Sequence, residues 1–378
     1  MDENVGIDDI YFAYECCRRR KKNKLGSKKF EVCALYNCIQ IAEDINRRQY
    51  KLRPAECFLI FYPTIREVFC ANFRDRVVQH FVYNELNPYI EKELILDTAS
   101  CRVGKGTDYA IQRVSRFVRR ETNNYHDDAY FLKADLSGFF MSMDRQRVKR
   151  IVFRIIDEKY KGRFPETLKY LVNIIALNDV THDAIRLCPE WKWEFIPARK
   201  SLFGNDHGLP IGNICSQLFA NLYLSELDHS IKARHKSYER FVDDIVVIDH
   251  DRQKLVETKD MIEAYLPSIN GKLNKRKTTI SNVKYGIRFL GVVIRPYYNL
   301  LAKSRINRLY YTTDKIDDPE MMFKSASSRR GMFVRYHGKR IAWRWYYHIS
   351  EKIRKVLKMD DRYKFKLIGD SQNVCCKD

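Results

Sequence analysis

Apolar residues recur every three or four positions between Cys33 and Tyr50, where Leu35, Ile39, Ala42 and Ile45 fall at helical spacing. The same periodicity predicts a helix from about Phe73 to Glu93, carrying Val77, Val78, Phe81, Val82 and Leu86. Between them, "CFLIFYP" (57–63) reads as a strand closed by proline. "AYFLKADLSGFF" (129–140) reads as a buried strand running into a turn at Gly138, and residues 145–177 read as two helices. From 178 to 207 the pattern is irregular and aromatic, with Trp191, Trp193 and Phe195 alternating as a hairpin strand would. "GLPIGN" then opens a long helix over about 213–235. A strand, a helix over 252–266, a strand near 286–294 and another at 297–302 follow. No internal repeat interrupts this order.

One strand breaks its own pattern. In "RFVDDIVVID" (240–249) two adjacent carboxylates, Asp243 and Asp244, interrupt an apolar run. An unpaired buried carboxylate is very costly, so the pair must reach water, a cation or a metal. By themselves these residues favour a plain hairpin turn, since aspartate is a common turn residue and the short apolar runs on both sides read as strands.

Composition narrows the partners. The 378 residues include 69 Lys and Arg against 48 Asp and Glu, a formal charge of +21. Such an excess favours a polyanion, nucleic acid before an anionic membrane surface. The basic residues concentrate toward the C-terminus: positions 301–366 hold 18 Lys and Arg against seven Asp and Glu, interleaved with Trp343, Trp345, Tyr346 and Tyr347. That mixture suits helices along a nucleic-acid backbone, and equally an ordinary basic amphipathic pair. The run "RRRKKNK" (18–24) could be a solvated helix end. The longest apolar runs, such as "YLVNIIAL" (170–177), are too short to span a bilayer, and the acidic N-terminus lacks the features of a secretory signal. Eleven cysteines include no Cys-x-x-Cys pair, only adjacent couples at Cys16–Cys17 and Cys375–Cys376. They read as reduced thiols in a cytosolic protein.

A third carboxylate, Asp135, ends the apolar strand in "FLKADLSGFF", and could meet Asp243 and Asp244 at the edge of one sheet. Three carboxylates that close repel each other unless divalent cations lie between them, and oxygen ligands suit Mg²⁺. Two metals about 4 Å apart are the arrangement for in-line attack at phosphorus. A basic protein with this triad is a nucleotidyl-transfer candidate.

The ordered set "DLSGFF", "GLPIGNICSQLFANLYL", "FVDD", "LNKRKT" and "FLGVVI" resembles the successive motifs of reverse transcriptases, across roughly residues 50–310. Within that superfamily "GLPIGNICSQ", preceded by "IPARKSLF", is most similar to the enzymes of diversity-generating retroelements. Those enzymes copy a template RNA into mutagenised cDNA that replaces part of a target gene.

The resemblance assigns roles. Asp135, Leu136, Asp243 and Asp244 would stand at two Mg²⁺ ions, with Mn²⁺ a possible substitute; Asp135 and Asp243 would be the principal ligands, and Asp244 an auxiliary ligand or a contact near the primer end. Phe241 replaces the family's usual Tyr beneath the primer, keeping a stacking surface without the hydroxyl. Phe140, five residues after Asp135, matches a steric gate against a 2′ hydroxyl, core packing being the alternative. Arg66 and Arg74 match the motif whose forked guanidinium groups clamp the triphosphate, with surface salt bridging as the alternative. Arg76 lies in the same motif. Arg102 and Lys105, in "CRVGKGTDYAI" (101–111), would lie near template or nucleotide, where Gly104 and Gly106 let backbone approach phosphate. Ile211 replaces a family Gln that hydrogen-bonds around the nucleotide, so discrimination against mispairs should weaken. In the resembling family this substitution accompanies misincorporation opposite template adenines, and Gln217 replaces a frequent Pro. Lys277 matches the lysine that protonates leaving pyrophosphate, though Lys275 and Arg276 are also cationic. Gly291, in "FLGVVI" (289–294), would belong to the primer grip.

The implied architecture is an α/β right-hand polymerase. It has an N-terminal helical region (1–50), fingers (51–128), a palm (129–295) with a fingers insertion about 145–207, and a basic helical thumb and tail (296–378). Its partners would be template RNA, a cDNA or primer strand, dNTPs and a small basic accessory protein forming a helical ring, with no membrane. The expected location is the cytoplasm, for a gene carried by a bacterium, phage or other mobile element. No RNase H, integrase or endonuclease segment is expected. Three readings stand beside this one: a retron, abortive-infection or group II intron reverse transcriptase, a catalytically silent RNA-binding scaffold, and an RNA-dependent RNA polymerase. Phe140 and the lack of Gly-Asp-Asp weigh against the last.

Overall fold

A computed structural model describes residues 3–19, 21–61 and 64–368. Pro63 of the first expected strand, Arg20 of the basic run and the Cys375–Cys376 couple lie outside them. Three helices open the chain: α1 (Ile7–Arg18), α2 (Leu25–Glu31) and α3 (Ala34–Asn46). The buried face of α3 is Cys38, Ile41, Ala42 and Ile45, whereas the expected Leu35 points outward at 58% exposure. Strands β1 (Glu56–Ile60) and β2 (Arg66–Cys70) pair antiparallel from Glu56↔Cys70 to Ile60↔Arg66. Helix α4 (Phe73–Glu93) starts at Asn72, whose side chain accepts the Arg74 N–H. All five of its expected apolar residues are buried.

Next come α5 (Thr107–Glu121), β3 (Tyr130–Asp135), α6 (Phe139–Ser142), α7 (Arg145–Lys159), α8 (Pro165–Leu177) and β4 (Ile185–Arg186). Asp144 caps α7 by accepting from the N–H groups of Gln146 and Arg147, and Pro165 occupies the first turn of α8. The aromatic stretch expected as a hairpin strand is instead a 3₁₀ helix, Glu190–Phe195, bracketed by Pro189 and Pro197. Trp193 turns inward and donates to the Cys188 carbonyl, while Trp191 and Phe195 stay exposed.

The helix expected over 213–235 is two, α9 (Ile214–Tyr223) and α10 (Ser225–Arg234). Leu224 leaves helical geometry at φ −98°, ψ 1°, and the Ser225 hydroxyl donates back to the Leu222 carbonyl. Such back-bonding competes with the helical ladder. Beyond lie β5 (Ser237–Phe241), β6 (Asp244–Asp249), α11 (Arg252–Tyr265) and the unanticipated β7 (Thr279–Asn282). A four-stranded sheet has the order β5–β6–β3–β7. The single strand expected near 286–294 is a hairpin, β8 (Ile287–Phe289) and β9 (Val292–Ile294), followed by β10 (Asn299–Leu301). Leu290 and Gly291 turn it with φ 48° and 77°, the doubly left-handed geometry that two-residue hairpins prefer. Helices α12 (Lys303–Thr313), α13 (Pro319–Arg335), α14 (Lys339–His348) and α15 (Glu351–Val356) precede a last hairpin, β11 (Leu357–Met359) and β12 (Phe365–Leu367).

The chain divides into two compact units. The first comprises the chain up to Gly106, Ala134–Ile245 and Glu257–Thr278. One of its cores joins Cys57 of β1, Phe69 of β2, Met141 of α6 and Leu202. The second unit comprises Thr107–Lys133, Val246–Val256 and the chain from Thr279. Its C-terminal helices pack around Trp345, fully buried against Phe333 and donating its indole N–H to Thr313. Of the aromatics singled out in this segment, Trp345 and Tyr346 belong to the core, and Tyr347 is exposed. The mixed α/β class expected from the sequence is the class observed. Among the described residues no helix is long and apolar enough to cross a membrane.

Candidate active site

The first unit holds every expected site residue except Gly291. Asp135 ends β3, and its backbone is fixed from one side by Asn274, whose N–H donates to the Asp135 carbonyl at 2.7 Å. The next residue ties in the acidic turn: the Leu136 N–H donates to the Asp243 carbonyl at 3.2 Å. Ser137 N–H then donates to the Lys272 carbonyl at 2.8 Å. Three distant parts of the chain therefore meet at residues 135–137. The two-residue turn Val242–Asp243 joins β5 to β6, so the acidic pair does sit on a strand–turn–strand.

Asp135 is 6% exposed, and its carboxylate is occupied. Lys277 Nζ donates to its two oxygens at 2.9 and 3.2 Å, and Asn274 Nδ2 donates at 3.2 Å. Burial first, then repulsion from Asp135 and Asp244, pushes the Asp243 carboxyl up to about 6, with Lys277 pulling the other way. For Lys277, burial works against the charge, but the hydrogen bond to Asp135 and the three aspartate charges raise its pKa above the ordinary lysine value. Among the described residues no three Asp, Glu, His or Cys side chains form a ready-made cation cage. The donor chemistry nevertheless suits a hard divalent ion: oxygen ligands that resist shared ionisation are relieved by positive charge between them.

The segment Gly208–Asn213 is bound to the same neighbourhood. Gly208 takes φ +97°, and a Cβ there would lie 2.9 Å from the Met141 carbonyl oxygen, so only glycine fits against α6. Gly208 N–H donates to Met143 and Leu209 N–H to Phe140, while the Ile211 carbonyl accepts from Phe69 of β2. Phe140 and Ile211, both half-buried, consequently border one apolar cluster. Gln217 lies in the first turns of α9, and half-buried Phe241 ends β5.

Other expected site residues are held by structural partners. Arg74 is ion-paired with Asp44 of α3 and stacks on Tyr50, its guanidinium carbon 4.5 Å from the ring centroid. Arg102 is nearly enclosed: it forks onto Glu91 at 2.8 and 3.1 Å and donates to the carbonyls of Ile95 and Thr98. Lys105 donates to the Leu96 carbonyl. These are the salt-bridging alternatives for Arg74 and a loop staple for Arg102. Arg66 lies half-buried on β2. Gly291, in the second unit, needs its left-handed φ, and a Cβ there would press on Arg305 at 3.2 Å.

Sequence reasoning missed one group. Arg240 and Asp228 are both fully buried, joined by Nε to Oδ1 at 2.7 Å and Nη2 to Oδ2 at 2.6 Å. An arginine in the short strand Ser237–Phe241, two residues before the turn that carries Asp243, was the available signal.

Asp135 at the end of β3 and the Asp243–Asp244 turn at the start of β6, the two inner strands of the sheet, therefore lie together with the Lys277 ammonium alongside. The profile described as "Reverse transcriptase (RNA-dependent DNA polymerase)" matches residues 63–294, more than half the chain, and the chain belongs to that family. A 90-residue stretch, 23% of this chain, is 32% identical to the Retron Ec86 reverse transcriptase of Escherichia coli and spans 28% of that protein. Two apo telomerase structures from Candida tropicalis are similar at 14% identity. One, truncated from its C-terminal domain, has a TM-score of 0.47 over 71% of this chain and 60% of its own. The other has a TM-score of 0.49 over 74% and 52%.

Proposed function

We propose that the chain is an RNA-directed DNA polymerase of the adenine-mutagenic kind found in diversity-generating retroelements. The observation that carries the polymerase reading is the junction of Asp135 with the Asp243 turn through the 3.2 Å Leu136–Asp243 hydrogen bond, in a chain of the reverse transcriptase family. The reading divides the chain into fingers over 51–128, palm over 129–295 and thumb from 296. It carries with it a template RNA, a primer strand, dNTPs, a small basic accessory protein and a cytoplasmic place of action.

Asp135, Leu136, Asp243 and Asp244 would hold the Mg²⁺ ions, which when bound activate the primer 3′ oxygen and offset charge on the leaving group. The 3′ oxygen bonds to the α-phosphorus as the bond to the bridging oxygen breaks and pyrophosphate departs. Lys277 Nζ supplies the proton that pyrophosphate takes up, a contribution of roughly 10²–10⁴-fold. Arg66 offers a guanidinium to the triphosphate, and the Phe140 ring bars a 2′ hydroxyl. Ile211 gives the nascent base pair bulk without hydrogen bonds, which supports the low-fidelity reading.

Sequencing cDNA made on an adenine-containing RNA template tests this. Errors concentrated opposite adenine, reduced by Ile211→Gln, support the mutagenic reading; accurate synthesis removes it and leaves the polymerase. The retron enzyme's similarity favours a second reading, a retron-type reverse transcriptase, which expects that accurate synthesis.

A further inference from the structure

Val242, the residue before Asp243, holds φ +60°. That left-handed conformation is a genuine outlier for a β-branched side chain and is strained. Such strain persists only where the surroundings over-determine it, and here they do. Arg240 Nη1 donates to the Val242 carbonyl at 3.0 Å, and Nη2 donates to the Asn221 carbonyl at 3.2 Å. The same guanidinium is locked onto Asp228, whose oxygens also accept the Tyr238 hydroxyl at 2.5 Å and the Thr98 hydroxyl at 2.8 Å. Backbone holds the strand from the other side: Arg240 N–H donates to Asp97 and its carbonyl accepts from Ala99. Downstream, the Asp243 carbonyl accepts from Leu136, beside Asp135.

Stability alone is a poor reason for this arrangement. Burying an ion pair costs about as much as its attraction returns, and apolar replacements of the same volume are often neutral or better. What an apolar side chain could not do is donate to the Val242 carbonyl while bound to a fixed acceptor. We propose that Arg240, fixed by Asp228, is a positioning residue that forces the left-handed turn at Val242 and so aims Asp243 at the metal-binding position beside Asp135. The inference rests on the polymerase reading of that site. It assigns Arg240 no contact with substrate.

The test is a double-mutant cycle of wild type, Arg240→Lys, Val242→Gly and the double variant. Mn²⁺ binding is read by electron paramagnetic resonance, single-nucleotide incorporation at saturating dNTP by quenched flow, and folding by thermal melting. Lysine keeps the charge but loses the fork. Arg240→Lys is expected to raise the Mn²⁺ half-saturation about 10-fold and lower the incorporation rate about 100-fold, with KM for dNTP within about 3-fold. Glycine accepts φ +60° without strain. The double variant should therefore regain at least about 10-fold of the lost rate and most of the Mn²⁺ affinity, without regaining melting temperature. Additive or worse behaviour of the double variant, or unchanged Mn²⁺ binding in Arg240→Lys, overturns the proposal. Should Arg240→Lys not fold, Tyr238→Phe takes its place, because it removes one donor from Asp228 while keeping the ring. Weaker Mn²⁺ binding by a folded Tyr238→Phe supports the proposal, and unaltered binding overturns it. A wild type that binds Mn²⁺ but extends no primer counts against the polymerase reading, while the Mn²⁺ arm of the cycle still decides the role of Arg240.

Discussion

The Lys277 ammonium lies 2.9 Å from Asp135 Oδ1, so the acidic site carries its own counter-cation. Replacing it with an apolar side chain leaves the aspartates to repel one another. Lys277→Met is expected to melt lower than wild type in chelator and to be stabilised more by saturating Mg²⁺, as ligand linkage requires. Its incorporation rate should also fall roughly 10²–10⁴-fold if Nζ supplies the proton to pyrophosphate. Melting curves with EDTA and with Mg²⁺, beside single-turnover rates, check both statements.

Asp243 gives a pH dependence of definite sign. Its carboxyl is raised to about 6 by burial and by Asp135 and Asp244, above the unfolded value. The folded chain therefore binds the proton more tightly than the unfolded chain, and this contribution to stability is lost as pH rises through about 6. Without divalent cation, wild type should gain stability as pH falls from 7 toward 5. Asp243→Asn should flatten that slope and melt roughly 2–5 °C higher at pH 7.5. A steeper slope in the variant contradicts the assignment.

Arg102 separates a template contact from a structural staple. With its guanidinium enclosed by Glu91 and two carbonyls, Arg102→Ala should cost about 2 kcal/mol of stability. Template affinity of the folded variant should stay within about 3-fold of wild type, with a salt dependence no shallower. Binding of labelled RNA across a salt series, alongside chemical denaturation, distinguishes the two roles.

Phe140 and Ile211 border one cluster, yet they should fail differently. Phe140→Ala is expected to raise rNTP use relative to dNTP use by roughly 10- to 200-fold, whereas Ile211→Gln should change base selection and leave sugar selection alone. Competition assays with mixed nucleotides read both. A shared loss of stability with neither selectivity altered would mean that both residues only pack the core.

The long periodic helix Phe73–Glu93 and the aspartate-bearing strands were legible because one face, or one interruption, dominates their pattern. Boundaries set by single residues were not. Ser225 breaks a helix that periodicity joins, and Leu290–Gly291 folds back a strand that an apolar run presents as continuous. Trp191, Trp193 and Phe195 alternate like a strand, but the flanking prolines leave a 3₁₀ turn. Motif order singled out Asp135, Asp243 and Asp244 as isolated carboxylates, and the structure brings their backbones together at residues 135–137. It could not assign arginines: Arg74 and Arg102 match nucleic-acid motifs, while their partners Asp44 and Glu91 lie 30 and 11 residues away. Arg240 escaped for the converse reason, since its role depends on Asp228 and on a backbone angle that sequence does not display.

The central claim is that Asp135 and Asp243 act together in metal-dependent nucleotide addition to a primer on RNA. Single-nucleotide incorporation on an RNA template–DNA primer, titrated with Mg²⁺, tests it most directly with wild type, Asp135→Asn and Asp243→Asn. The account predicts Mg²⁺-dependent addition of the complementary dNTP by wild type and a loss of at least about 10³-fold in each variant, with both variants folded. Equal rates in wild type and either variant, or addition that persists in EDTA, would contradict it.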